Sequence, residues 1–170
     1  MLINQMQTIV RGVNMPPPIV TFLEMKVSTF NQDDYTKYDK AAKERLCSFL
    51  QAKGYKIIDK EENYGIDITC ELNGKTHYFE VECKVKYPFT CQNDFKFESV
   101  SFLGRKSKYP VSFYYVILCA ETSGAVLCKS EHIFKDEYYE KKEANRNGTK
   151  GFDIFYCVPK ENCKFFQVPL

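Results

Sequence analysis

No apolar run in this chain approaches the roughly 20 residues that cross a bilayer, which excludes a helical membrane span. No C-x-x-C pair occurs among the eight cysteines, which excludes zinc-finger and zinc-knuckle spacing. The cysteines show no cluster of the kind an iron–sulfur centre uses. There is no glycine-rich phosphate loop: Gly148-Thr149-Lys150-Gly151 lacks the P-loop spacing, which argues against an ATP-driven enzyme. His77 and His132 are the only histidines, and neither stands in a ligand spacing or beside a cysteine as a Cys–His nucleophile pair. Net charge is only +2, so the overall balance does not announce nucleic acid. Residues 1–24 lack a basic cluster followed by an apolar stretch and a small-residue cleavage site. The expectation is a cytoplasmic, non-secreted protein with reduced thiols, several of them buried as small hydrophobes.

What is present points to one folded domain. Of 170 residues, 44% are hydrophobic and 15% aromatic, which excludes a disordered chain and supplies a sizeable core. Residues 1–33 read as an arm, flexible or docking on a protein partner, because Pro16-Pro17-Pro18 favours extended geometry and cannot enter a helix or central strand. Residues 34–170 form the domain. Asp34–Lys53 is predicted helical, capped by Asp33 or Asp34 and stopped at Gly54, with Ala42, Leu46, Phe49 and Leu50 as its apolar stripe. Strands are predicted at Tyr55–Ile58, Ile66–Leu72, Thr76–Lys84, Val111–Ala120, Ala125–Cys128, Ile154–Val158 and Phe165–Val168. Ser130–Glu143 is predicted as a second helix capped by Ser130, and Arg146–Gly151 as a loop. The fold class is mixed α/β.

The chemistry concentrates on one hairpin. Asn73-Gly74, flanked by strand-like runs, is a strong two-residue turn signal. It pairs Leu72 with Lys75 and therefore Asp67 with Glu80. Phe79, Val81, Cys83 and Val85 then face one way, and Glu80, Glu82 and Lys84 the other, sharing their face with Asp67. Like charges opposed across a sheet repel, and a bound hard cation relieves that. The same residues also suit an amphipathic hairpin with a solvated charged face. Lys84, Lys86, Lys96, Arg105, Lys106 and Lys108 stand against only Asp94 and Glu98 in the segment that follows.

Helix, strand, Asp-bearing strand, turn, Glu-x-Lys strand, basic element and further strand resembles the PD-(D/E)XK nuclease superfamily over roughly residues 35–129. Asp67, Glu82 and Lys84 stand at its motif positions, and Ile66 replaces the proline. Arg105-Lys106 before a long apolar strand looks like viral and phage members, which would put the protein in host cytoplasm. The resemblance implies a restriction-endonuclease-like core, a central mixed β-sheet flanked by helices, with residues 130–170 adding a helix and strands. It implies a nuclease dependent on Mg²⁺ or Mn²⁺, DNA favoured, leaving a 3′-hydroxyl and a 5′-phosphate. Asp67 and Glu82, helped by Glu80, would hold the metal, and Lys84 would position the attacking water. The acid such families add from the first helix is Glu44 or Asp39. Arg105, Lys106 and Lys108 would contact backbone phosphates. Two alternatives stay open: a non-catalytic nucleic-acid-binding or assembly module, and a nuclease of RNA or of branched DNA, the last needing a homodimer.

Overall fold

The computed structural model describes residues 32–60, 65–146 and 149–170. Residues 1–31 of the predicted arm lie outside these, whereas Gln32 and Asp33 belong to the first helix. That helix, α1, spans Gln32–Ala52. Ala42, Leu46 and Leu50 recur every fourth residue and are buried, with Cys47 beside them. Gly54, at φ +89°, ends the helix where an L side chain would be strained, and Tyr55 N–H donates back to the Leu50 carbonyl at 3.0 Å.

Strands β1 (Lys56–Asp59), β2 (Ile68–Leu72), β3 (Lys75–Lys84), β5 (Tyr114–Cys119), β6 (Gly124–Lys129) and β9 (Lys164–Gln167) form a six-stranded sheet in the order β1-β2-β3-β5-β6-β9. The next strand in the chain after β3 is β4 (Ser99–Leu103), which leaves this sheet to join another. The β3–β5 pairing is parallel and the others antiparallel, so the sheet is mixed. Leu72 pairs with Lys75, as the Asn73-Gly74 turn predicts; Asn73 and Gly74 both take positive φ.

Among the described residues one long helix, α1, flanks one face of the sheet, so the flanking helices are fewer than expected. α1 covers that face, packing on Ile68, Cys70, Phe79, Val81, Val116 and Leu118. The opposite face is covered by a second sheet, three-stranded, ordered β4-β8-β7, with β7 at Tyr139–Arg146 and β8 at Thr149–Pro159. Val100, Phe102 and Val158 of this sheet meet Tyr115, Ile117 and Val126 of the first.

The expected second helix is also corrected. It is one turn, α2 (Ser130–Ile133), followed by a 3₁₀ turn at Asp136–Tyr138 and then β7. The segment after Tyr139 is rich in helix formers, but pairing along all of β7 with β8 supplies a hydrogen-bond ladder that overrides weak propensity. Ser130 does not cap a helix; its hydroxyl accepts the Phe113 amide at 3.0 Å. The expected loop at Arg146–Gly151 is largely strand, with Arg146 paired to Thr149. All eight cysteines are free thiols, and no described helix is long and apolar enough to cross a membrane.

Arg45 of α1 ties the C-terminal strand to the helix. Its guanidinium donates to the carbonyls of Cys119 (2.8 Å), Val168 (3.0 Å), Thr122 (3.1 Å) and Pro169 (3.2 Å). Arg45→Met keeps the stem and leaves these acceptors without their donor. The expected loss is about 2 kcal/mol of unfolding free energy, measured by urea denaturation, because charged donors to partly buried carbonyls are worth more than neutral ones.

Candidate active site

The hairpin β2–β3 delivers the acidic residues. Phe79, Val81 and Cys83 face α1, so Glu80, Glu82 and Lys84 face the second sheet. That face is not wet. Glu80 is 1% exposed, among the most buried side chains of the protein. An amphipathic hairpin with a solvated acidic face is therefore not what forms.

Asp67 lies one residue before β2, where it is not confined by the pleat. Its Oδ2 accepts the Val81 amide at 2.9 Å, and its Oδ1 takes the Lys43 ammonium at 2.9 Å. Its negative charge also bears on the neighbouring Glu80 carboxyl. Lys43 pairs in addition with Asp39 at 3.1 Å, one turn earlier on α1. Burial works to lower the Lys43 pKa, but the hydrogen bonds and charges of Asp67 and Asp39 outweigh it and hold the ammonium firmly protonated.

Glu80 meets Lys106, which projects inward from the 3₁₀ helix Gly104–Lys108. Lys106 Nζ also donates to Tyr109 Oη at 3.0 Å, and that hydroxyl donates to the Gly65 carbonyl at 2.9 Å. Glu80 Oε2 is buried and has no hydrogen-bond partner. Burial, then the neighbouring Asp67 carboxylate, push the Glu80 carboxyl up to about 8 against the opposing pull of Lys106.

Glu82 is held from two sides. Lys84 Nζ reaches its Oε1, and Tyr115 Oη donates to its Oε2 at 2.9 Å. Tyr115 is fully buried; burial, then the charges of Glu82 and Glu80, raise its phenol well above the ordinary value, so it stays a donor. Lys84 keeps 41% of its side chain exposed, making it the cation of the cluster most open to an incoming group.

Of the candidate residues named from the sequence, Asp67 and Glu80 are thus neighbours, Glu82 and Lys84 pair on the same strand face, and Asp39 joins through Lys43. Glu44 is apart from them: it is exposed on the outer side of α1, beside a groove lined by Ala41, Phe49 and Leu170. Lys106 points inward: it is an internal partner of Glu80, and its side chain is only 15% exposed. Arg105 and Lys108 are exposed.

Lys43 and Tyr115 are not legible in the sequence as members of the site, and Tyr109, which the sequence offers as a base-stacking or packing residue, instead bonds Lys106 and the Gly65 carbonyl. Lys43 lies four residues after Asp39, an ordinary helical spacing that signals nothing by itself. Tyr115 is brought beside Glu80 by the parallel β3–β5 register, which no local pattern encodes.

The cluster thus sets Asp39, Asp67, Glu80 and Glu82 against Lys43, Lys84 and Lys106, leaving one negative charge in excess when all are ionised. A proton on Glu80 or a bound cation removes that excess. The orphaned Glu80 Oε2 and the neighbouring Asp67 carboxylate are oxygen donors of the kind hard dications take. Among the described residues, no group of three or more His, Cys, Asp or Glu is gathered closely enough to hold a metal without side-chain movement. Compared with family models, with curated proteins and with solved structures, the chain matches none.

Proposed function

We propose that this protein is a metal-dependent nuclease that hydrolyses phosphodiester bonds, with DNA as the favoured substrate. The observation that carries the reading is the burial of Glu80 on the strand face that also bears the Glu82–Lys84 pair, with the Asp67 carboxylate near it. Three antiparallel strands, β1 to β3, and then β5 parallel to β3, behind a single long helix, support the order expected of a restriction-endonuclease-like core.

Asp67, Glu80 and Glu82 would hold Mg²⁺ or Mn²⁺, which when bound polarises a phosphate oxygen and lowers the pKa of coordinated water. The chain's own groups do the rest. Tyr115 fixes the orientation of Glu82 through its hydrogen bond. Lys84, half in solvent, exchanges Glu82 for the scissile phosphate and offsets charge that develops there. Lys43 and Lys106 offset the charges of Asp67 and of Glu80 once Glu80 is ionised. Arg105 and Lys108 offer exposed cations to the backbone phosphates.

A second reading has its own observation. Asp67, Glu80 and Glu82 already have a lysine each, so charge balance alone does not demand a metal. That favours a non-catalytic module that binds nucleic acid on the same fold. Incubation of plasmid and single-stranded DNA with Mg²⁺ or Mn²⁺ separates the two. The expected result is cleavage by the wild type and a loss of about a hundredfold or more in Lys84→Ala. Binding without cleavage under either metal would establish the module instead.

A further inference from the structure

The segment after Lys84 carries two large aromatic side chains into solvent although the fold offers a core on either side of it. Tyr87 is 55% and Phe97 45% exposed. Their rings meet edge to face, with centroids 5.2 Å apart. Lys96 stands over the Tyr87 ring at 5.9 Å, and Lys86 is exposed next to it. Tyr87 has φ +61°, a left-handed conformation that a bulky L residue rarely adopts.

The rest of the segment anchors this pair. Phe89 is 3% exposed, and Phe95 packs on both Phe89 and Phe165. The Phe89 carbonyl accepts the Thr122 hydroxyl. Asp94 accepts the amides of Thr90 (2.9 Å) and Cys91 (2.9 Å), which engages the one acidic side chain between Lys84 and Phe97. The aromatic edge is therefore mounted on a pinned loop with a local excess of positive charge. Three residues of chain span at most about 11 Å, so Tyr87 lies within about three stacked nucleotides of Lys84.

We infer that Tyr87 and Phe97 form a stacking platform for unpaired bases, so that the substrate is a single strand or a frayed end held by Lys84, Lys86 and Lys96. Exposed aromatics recognise bases by their π-faces, and the flanking ammoniums match the phosphates between them. A blunt duplex keeps its bases stacked and gains only the phosphate contacts. The placement of this platform beside the reacting phosphate rests on the nuclease reading; base stacking itself does not.

The chain contains no tryptophan, so Tyr87→Trp installs a unique fluorophore on the platform. The probes are a 20-nucleotide oligothymidylate, an abasic oligomer of the same length and a blunt duplex, all in EDTA so that no cleavage intervenes. Oligothymidylate is expected to quench Tyr87→Trp, and the abasic strand to leave it unchanged. Tyr87→Ala and Phe97→Ala are each expected to weaken oligothymidylate binding at least about tenfold, with Tyr87→Phe retaining it and abasic binding unaltered. If Tyr87→Ala fails to fold, the quenching and the Phe97→Ala result decide. Equal affinity for thymidylate and abasic strands, or no binding of either, overturns the platform. Base-dependent binding without metal-dependent cleavage keeps the platform and removes the nuclease reading. Cleavage with no dependence on bases does the reverse.

Discussion

Replacing Glu80 by glutamine is expected to stabilise the metal-free protein at pH 8 and to remove most of its pH dependence between pH 5 and 8. The Glu80 carboxyl is raised from 4.5 to about 8, first by burial and then by Asp67. Below about pH 4.5 the folded and unfolded chains both hold this proton, and the group adds no slope. Between 4.5 and 8 the unfolded chain ionises while the folded one keeps its proton, so stability falls as pH rises. Above 8 both are ionised and the slope ends. The shift corresponds to about 4–5 kcal/mol lost across the window. Glutamine reproduces the neutral folded form and has no proton to lose, so Glu80→Gln is expected to exceed wild type by a margin that widens toward pH 8. Urea denaturation in EDTA at three pH values measures it; parallel profiles for the two proteins would refute the assignment.

The same residue tests the metal. A dication at Glu80 takes the place of the proton, so at pH 8 Mn²⁺ is expected to raise wild-type stability. Glu80→Gln is expected to gain much less, since a neutral amide is a poor ligand for a hard cation. If Mn²⁺ stabilises neither protein, the nuclease reading fails while the burial of Glu80 stands.

What the residues alone disclose here is local and periodic. The α1 stripe, the Asn73-Gly74 turn and the strand alternation are short-range signals, and together they align Glu80, Glu82 and Lys84 on one face. What they do not disclose is what lies over that face. A solvated acidic edge stays open as an alternative in the sequence because the second sheet over it is not legible there: β4 comes from a stretch with no strong pattern, and β7 is written in residues that favour helices. The second sheet turns a wet charged face into a buried network, and it brings Lys106 inward. The dipeptide Asn147-Gly148 carries the same turn signal as Asn73-Gly74 and lies between Arg146 and Thr149, which pair. Applied to both dipeptides, the hairpin rule would have reported the β7–β8 pairing; the charged run before Asn147 concealed it. Lysine partners are hidden for a different reason. Lys43 and Lys106 are 63 residues apart in sequence, and only the closed fold sets both against Asp67 and Glu80.

Adding a single methyl group at Gly124 is expected to cost about 3–5 kcal/mol, more than any other small substitution considered for this protein. Gly124 begins β6, and the Phe89 carbonyl lies directly over its Cα. A Cβ there would overlap the Phe89 carbonyl oxygen, with the carbonyl carbon 2.8 Å and ring Cδ2 3.0 Å away. Neither neighbour can yield easily. The carbonyl is backbone that accepts the Thr122 hydroxyl, and the Phe89 ring is buried against Phe95 and Phe165. Thr122 in turn accepts the Gly124 amide at 3.1 Å, so a shift to relieve the clash also breaks that bond. Gly151→Ala is the matched control, because nothing lies within 4 Å of its Cβ position, and it is expected to be neutral within about 0.5 kcal/mol. The clash falls on the anchor of the loop that bears Tyr87 and Phe97. Gly124→Ala should therefore lower thermal stability and, in the fraction that folds, also blunt the quenching of Tyr87→Trp by oligothymidylate. An unchanged melting temperature would mean that the Phe89 carbonyl does not pack over β6, and that the platform has lost its support.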